Sequence, residues 1–109
     1  IKLMFICFEK NKEYYRRLFE ITGQNSFGEF FAHYCEKTFF CILSRHPMKK
    51  MPCDLITPQS LAHYNALLLI EILKLWLSSP KNVPAEKIFE AYQYIMRTPI
   101  LDMIQYPEI

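Results

Sequence analysis

Apolar and polar positions along residues 57–97 spell out two helices of different character. The first, LAHYNALLLIEILKLWLSS, is apolar almost throughout, and its strongly polar positions Ser60, His63, Glu71, Lys74 and Ser78 recur at steps of three, four or eight. Such spacing leaves one thin polar stripe on a helix that a monomer's surface would normally wet over about half its circumference, so this helix needs cover on most sides, from its own chain and from a second copy. After a short PKNVP link, AEKIFEAYQYIMR alternates as an ordinary amphipathic helix. Thr57 followed by Pro58 predicts a cap with proline at the first helical position, Pro84 opens the last helix in the same way, and Pro99 closes it.

Upstream, residues 1–8 hold an apolar stretch with the look of a helix already under way, and the chain starts without an initiator methionine, which reads as a fragment of a longer protein. Asn11 is placed to cap KEYYRRLFEI, whose Tyr14, Tyr15, Leu18 and Phe19 share one side. Thr22 and Gly23 end that helix, with Gly23 suited to a left-handed position. Asn25 and Ser26 offer the next cap, and Ser26 with Glu29 writes an S-x-x-E capping box for a helix running to about Ser44. Its apolar stripe, Phe27, Phe30, Phe31, Tyr34, Phe39, Cys41 and Ile42, is too wide to be solvated. The segment RHPMKKMPCDLITPQ breaks the pattern and reads as a mobile loop, while the tail ILDMIQYPEI is apolar enough to dock back on the body.

Composition narrows the class. A chain of 109 residues with 51% apolar and 16% aromatic content is not disordered and has enough core to fold as one domain over 1–109 without a disulfide or metal. Two glycines leave no phosphate-cradling loop and few hairpins, so the fold expected is all-α, a bundle of about five helices. The net charge of +2 has no block of one sign. No membrane span is expected, because the longest unbroken apolar run in the long helix is five residues, 66–70, and Glu71 and Lys74 follow. Cys7, Cys35, Cys41 and Cys53 contain no CxxC pair. They read as free thiols of a cytoplasmic protein, packed as small apolar residues, and Cys35 and Cys41 lie about 240° apart around their helix.

Candidate chemistry is sparse. His33, His46 and His63 stand alone, without a second histidine four residues away to make a helical metal pair, and no nucleophile elbow, zinc-protease or phosphate-loop motif occurs. No enzyme, metal or cofactor is therefore expected. The segment YYRRLFEITGQNSFGEFFAHY has the outline of a helix-turn-helix, yet its second helix would offer Phe27, Phe30 and Phe31 to base edges that need hydrogen-bonding groups. Direct DNA contact by this segment is rejected on that ground.

The order of segments resembles the C-terminal half of TetR-type transcriptional regulators. It comprises an apolar helix, a break and N-K-E-Y-Y-R-R-L, a loop with N-S-F, a long aromatic helix, then L-L-I-E-I-L-K-L-W-L leading through W-L-S-S-P-K-N-V-P-A-E-K-I into the last helix. The resemblance implies an all-α domain whose last two helices pair with their twins in a dimeric four-helix bundle, with DNA contact left to an N-terminal helix-turn-helix domain that this chain does not contain. Under it, Ile72, Leu75, Trp76, Leu77, Ile88, Phe89, Tyr92, Ile95 and Met96 are the expected homodimer interface. Phe30, Phe31, Tyr34, His63, Tyr64 and Leu67 are the expected wall of a pocket for a small apolar or aromatic effector. The alternative is an all-α protein-interaction module unrelated to transcription.

Overall fold

The computed structural model describes residues 1–23 and 26–107. Five α-helices and no strand occur among them: α1 (Lys2–Lys10), α2 (Lys12–Glu20), α3 (Phe27–Ser44), α4 (Pro58–Ser78) and α5 (Ala85–Arg97), followed by a short 3-10 turn at Ile100–Met103. The proposed cap at Asn25 lies outside the described residues.

Local signals in the sequence explain most boundaries. Asn11 separates α1 from α2 through its backbone, at φ −139° and ψ 52°, without a side-chain cap. The Ser26 hydroxyl accepts from the Glu29 amide at 3.2 Å, which is half of the expected capping box. Thr57 caps α4 by accepting from the Ser60 amide, and the Ser60 hydroxyl in turn accepts from the Thr57 amide, so two orphan donors are satisfied reciprocally around Pro58 at the first turn. Gly23 carries a φ of +126°, a conformation that side-chain-bearing residues rarely adopt. Pro84 differs from expectation: it occupies the cap position itself and α5 begins at Ala85. Proline has no side-chain acceptor to offer there. The Glu9 carboxylate of α1 supplies it by accepting from the Ala85 amide at 2.5 Å.

The helices sort into two sets. α3 and α4 pack along each other antiparallel, with Glu36 opposite Gln59 and His63 and Ala32 sharing a groove with Leu67 and Ile70, and α2 lies against both. α5 packs chiefly on α1. α1 joins the sets through two aromatic groups. Phe5 meets Trp76, Phe89 and Tyr92 at 5.8–6.0 Å between ring centroids, and Phe8 meets Tyr15, Phe31 and Phe19 at 4.3–6.2 Å. Trp76 is anchored further by donating from Nε1 to the Val83 carbonyl at 2.8 Å, with the Lys12 ammonium 5.0 Å from its ring centre.

Three expectations are corrected. The tail does not dock: Ile100, Leu101, Ile104 and Tyr106 are all exposed, because apolar composition alone supplies no matching groove. The aromatic stripe of α3 is largely solvent-facing. Phe31 is buried and Phe27 and Phe39 are half-buried, whereas Phe30, Tyr34, Cys41 and Ile42 are exposed, since the other helices cover α3 on one side only. Of the four cysteines, all free, only Cys35 is buried. In addition, α4 is long and apolar enough to cross a membrane by length and composition, although it lies here as a core helix with Ala62, Ala66, Leu69, Ile70, Leu73, Trp76 and Leu77 buried.

Candidate functional site

Two surfaces bear on function. The first is the side of α4 that its own chain leaves uncovered. Leu61, Leu68 and Ile72 are half-buried and Tyr64 and Leu75 exposed, Leu75 by 69%. Their spacing of three, four and seven puts them on one stripe, between the buried face and the polar positions Glu71, Lys74 and Ser78. On α5, Ile88, Ala91 and Ile95 repeat the arrangement at steps of three and four, Ile88 half-buried and the other two exposed.

The expected interface residues therefore divide by depth. Trp76, Leu77 and Tyr92 are buried in the protomer's own core, where Trp76 is 2% exposed. Ile72, Ile88 and Phe89 are half-buried, and Leu75, Ile95 and Met96 reach solvent. Adjacent residues on an apolar helix sit about 100° apart, so Leu75 faces out while Trp76 faces in.

The second surface is a groove between α1 and α3, floored by Leu69 of α4. It encloses a cavity of about 270 Å³ with Met4, Phe31, Tyr34, Cys35 and Phe39 in its walls and Ile1 and Thr38 at its edges. Of the six residues expected to line an effector pocket, the structure brings Phe31 and Tyr34 to this cavity. Phe30, Tyr64 and Leu67 are exposed elsewhere, with Leu67 in a shallow groove near Gly28 and Lys74. His63 pairs through Nδ1 with the Glu36 carboxylate at 3.0 Å, and Gln59 donates to the other oxygen of that carboxylate at 3.0 Å. These bonds, that of His63 first, hold the Glu36 carboxyl below its ordinary range. They tie α3 to α4 on the surface.

Two buried groups, Cys35 in the groove wall and Tyr92 in the core, were expected only as a small packed thiol and an interface aromatic. Burial pushes the Cys35 thiol up to about 11, which keeps it protonated and unreactive. Burial likewise pushes the Tyr92 phenol up to about 12, with Cys35 adding to the effect. The Tyr92 hydroxyl is the buried side-chain polar atom that finds no hydrogen-bond partner among the described residues. No sequence signal marks either role, because both depend on which side of a helix faces inward.

A family model described as the C-terminal region of transcriptional regulators, TetR_C_8, matches residues 1–98. The chain belongs to this TetR-type family. No curated protein and no solved structure gives a significant match. Membership in the TetR family makes this a regulatory domain of a transcription factor, of a class that is generally not enzymatic. No cluster of three metal-ligating side chains occurs among the described residues.

Proposed function

We propose that this TetR-type domain joins two copies of its parent regulator through α4 and α5 and senses a small apolar or aromatic effector in the cytoplasm. DNA binding then belongs to a helix-turn-helix domain elsewhere in the parent protein. The observation that carries the dimer is the surface the single chain leaves open. The protomer measures 44 × 42 × 23 Å with a radius of gyration of 16.1 Å, against roughly 13 Å for a compact domain of this length. It exposes 8645 Å², roughly 2,000 Å² more than a compact monomer of this mass.

Part of that surplus is the tail and the 45–57 segment, and the rest lies on helix faces. Uncovered apolar stripes on α4 and α5 suit a two-fold helix-pair interface, in which the same patch meets itself. Ile72, Leu75, Ile88, Phe89, Ile95 and Met96 would make the contact, with Trp76, Leu77 and Tyr92 as the packed layer behind them. An effector that favours one arrangement of the pair over another changes operator affinity by its difference in affinity for the two arrangements.

Light scattering on the eluting chain, across a range of concentrations, tests the dimer. A mass of about twice 13.1 kDa is expected. A stable monomer at all concentrations would remove the helix-pair interface from the proposal.

A further inference from the structure

The end of the molecule where α3 finishes and α4 begins carries the chain's positive excess. Residues 37–53 hold four of the thirteen lysines and arginines, Lys37, Arg45, Lys49 and Lys50, and none of the eleven acidic residues, so the rest of the chain is net acidic. All four are exposed, and none forms an ion pair among the described residues. The fold gathers them at one end. Lys37 lies on α3 roughly 12 Å along the axis from Arg45 at its C-cap, and Lys49 and Lys50 line a shallow groove against Thr57, Pro58 and Leu61 at the start of α4. Neighbouring carboxylates leave this charge standing. Glu36 is taken by His63 and Gln59, and Asp54 is one charge against four. A cation at the last carbonyls of α3 offsets the helix dipole, which accounts for Arg45 alone.

Resting on the regulator reading, we propose that this basic end binds the phosphate backbone of duplex DNA, without reading its sequence, beside the site held by the parent's DNA-binding domain. Two observations favour DNA over another polyanion. The chain belongs to a family of transcriptional regulators, whose work is done on a duplex that presents about one negative charge per 1.7 Å of axis. In addition, Ile1 lies beside Thr38 and Phe39, roughly 10 Å along α3 from Arg45, so a DNA-binding domain on the N-terminal side attaches at the basic end. The separation of Lys37 and Arg45 matches about three to four phosphates of one strand. Four such side chains bind weakly by themselves, but a domain tethered to DNA-bound protein meets the flanking backbone at high effective concentration. Sequence recognition remains with the helix-turn-helix domain.

The test follows the fluorescence anisotropy of a dye-labelled duplex of arbitrary sequence titrated with the whole chain. Binding is expected at low salt, and neutralising four phosphates weakens it about 100-fold between roughly 50 and 200 mM. Lys49→Gln combined with Lys50→Gln should halve the slope of log affinity against log salt. Lys81→Gln combined with Lys87→Gln makes the same charge change beyond the far end of α4 and should leave the slope unaltered. Far-UV circular dichroism of both double variants keeps folding out of the comparison. No anisotropy change with the chain near millimolar at about 50 mM salt overturns the site. An equal loss from the two double variants also overturns it, since that result marks net charge in place of a surface. Tighter binding to vesicles of phosphatidylserine and phosphatidylcholine than to the duplex overturns DNA as the partner. The mass of the chain in solution reports on the dimer reading separately, because Lys49 and Lys50 lie off the α4–α5 stripe.

Discussion

Leu75→Glu separates association from folding, because Leu75 is 69% exposed on the protomer while its neighbour Trp76 is 2% exposed. Full burial of a leucine contributes about 1.5–3 kcal/mol, so covering the open two-thirds of Leu75 is worth roughly 1–2 kcal/mol per copy, and a two-fold interface uses two copies. Glutamate removes that gain and brings two carboxylates into a desolvated contact, which adds a penalty of at least about 1 kcal/mol. A combined loss of about 3 kcal/mol or more weakens association at least roughly 100-fold. The fold itself should be indifferent: glutamate is nearly as good a helix former as leucine, and an exposed substitution typically stays within about 0.5 kcal/mol. Sedimentation or light scattering across concentration gives the association constant, and far-UV circular dichroism with a urea titration gives the stability. Unchanged association of a wild-type dimer, or loss of the monomer's stability, would refute the assignment of Leu75 to a surface that only a second copy covers.

Trp76→Ala is expected to behave oppositely, lowering unfolding free energy by about 3–5 kcal/mol through the cavity left beside Phe5, as read from the urea midpoint; a loss below about 1 kcal/mol would contradict its place in the core. In the native protein Cys7, Cys41 and Cys53 should react with a thiol reagent at pH 8 while Cys35, held protonated to about pH 11 by burial, reacts only on unfolding; four equally fast thiols would contradict this. Glu36 has its pKa lowered in the folded state, so its pairing stabilises above the unfolded carboxyl pKa and is lost as pH falls through the folded value. Glu36→Gln should therefore lower the melting temperature at neutral pH and match wild type in acid, and a constant difference from pH 7 to pH 3 would argue against the His63 pairing.

How far the sequence could be read depended on what kind of signal each feature leaves. The Thr57–Pro58 start of α4, the Ser26 cap and the end of α3 at Ser44 are local chemistry, and all were legible. The facing of side chains was not. Phe30 and Phe31 are equally apolar neighbours, and only the placement of α1, α2 and α4 around α3 decides that Phe31 is buried and Phe30 exposed. The same degeneracy put Trp76, Leu77 and Tyr92 with Leu75 and Ile95 in a single expected interface. A helix apolar on most sides specifies burial without specifying direction. Glu9 escaped notice because its role arises from a contact across nearly the whole chain.

The Glu9 cap on Ala85 also constrains the order of folding. The partners of α1 on α5 lie about eighty residues downstream, so during synthesis Phe5 has only part of its final surroundings until Phe89 and Tyr92 have emerged. Contacts of such separation carry a loop-closure cost and form late. The nascent chain therefore carries the Phe5 side of α1 only partly covered through most of its translation, and a stall or truncation before Val83 leaves Phe5 and Trp76 without part of their cover. Premature termination in this domain should yield aggregating fragments, the ordinary fate of apolar surface exposed on incomplete chains, in place of a smaller folded core.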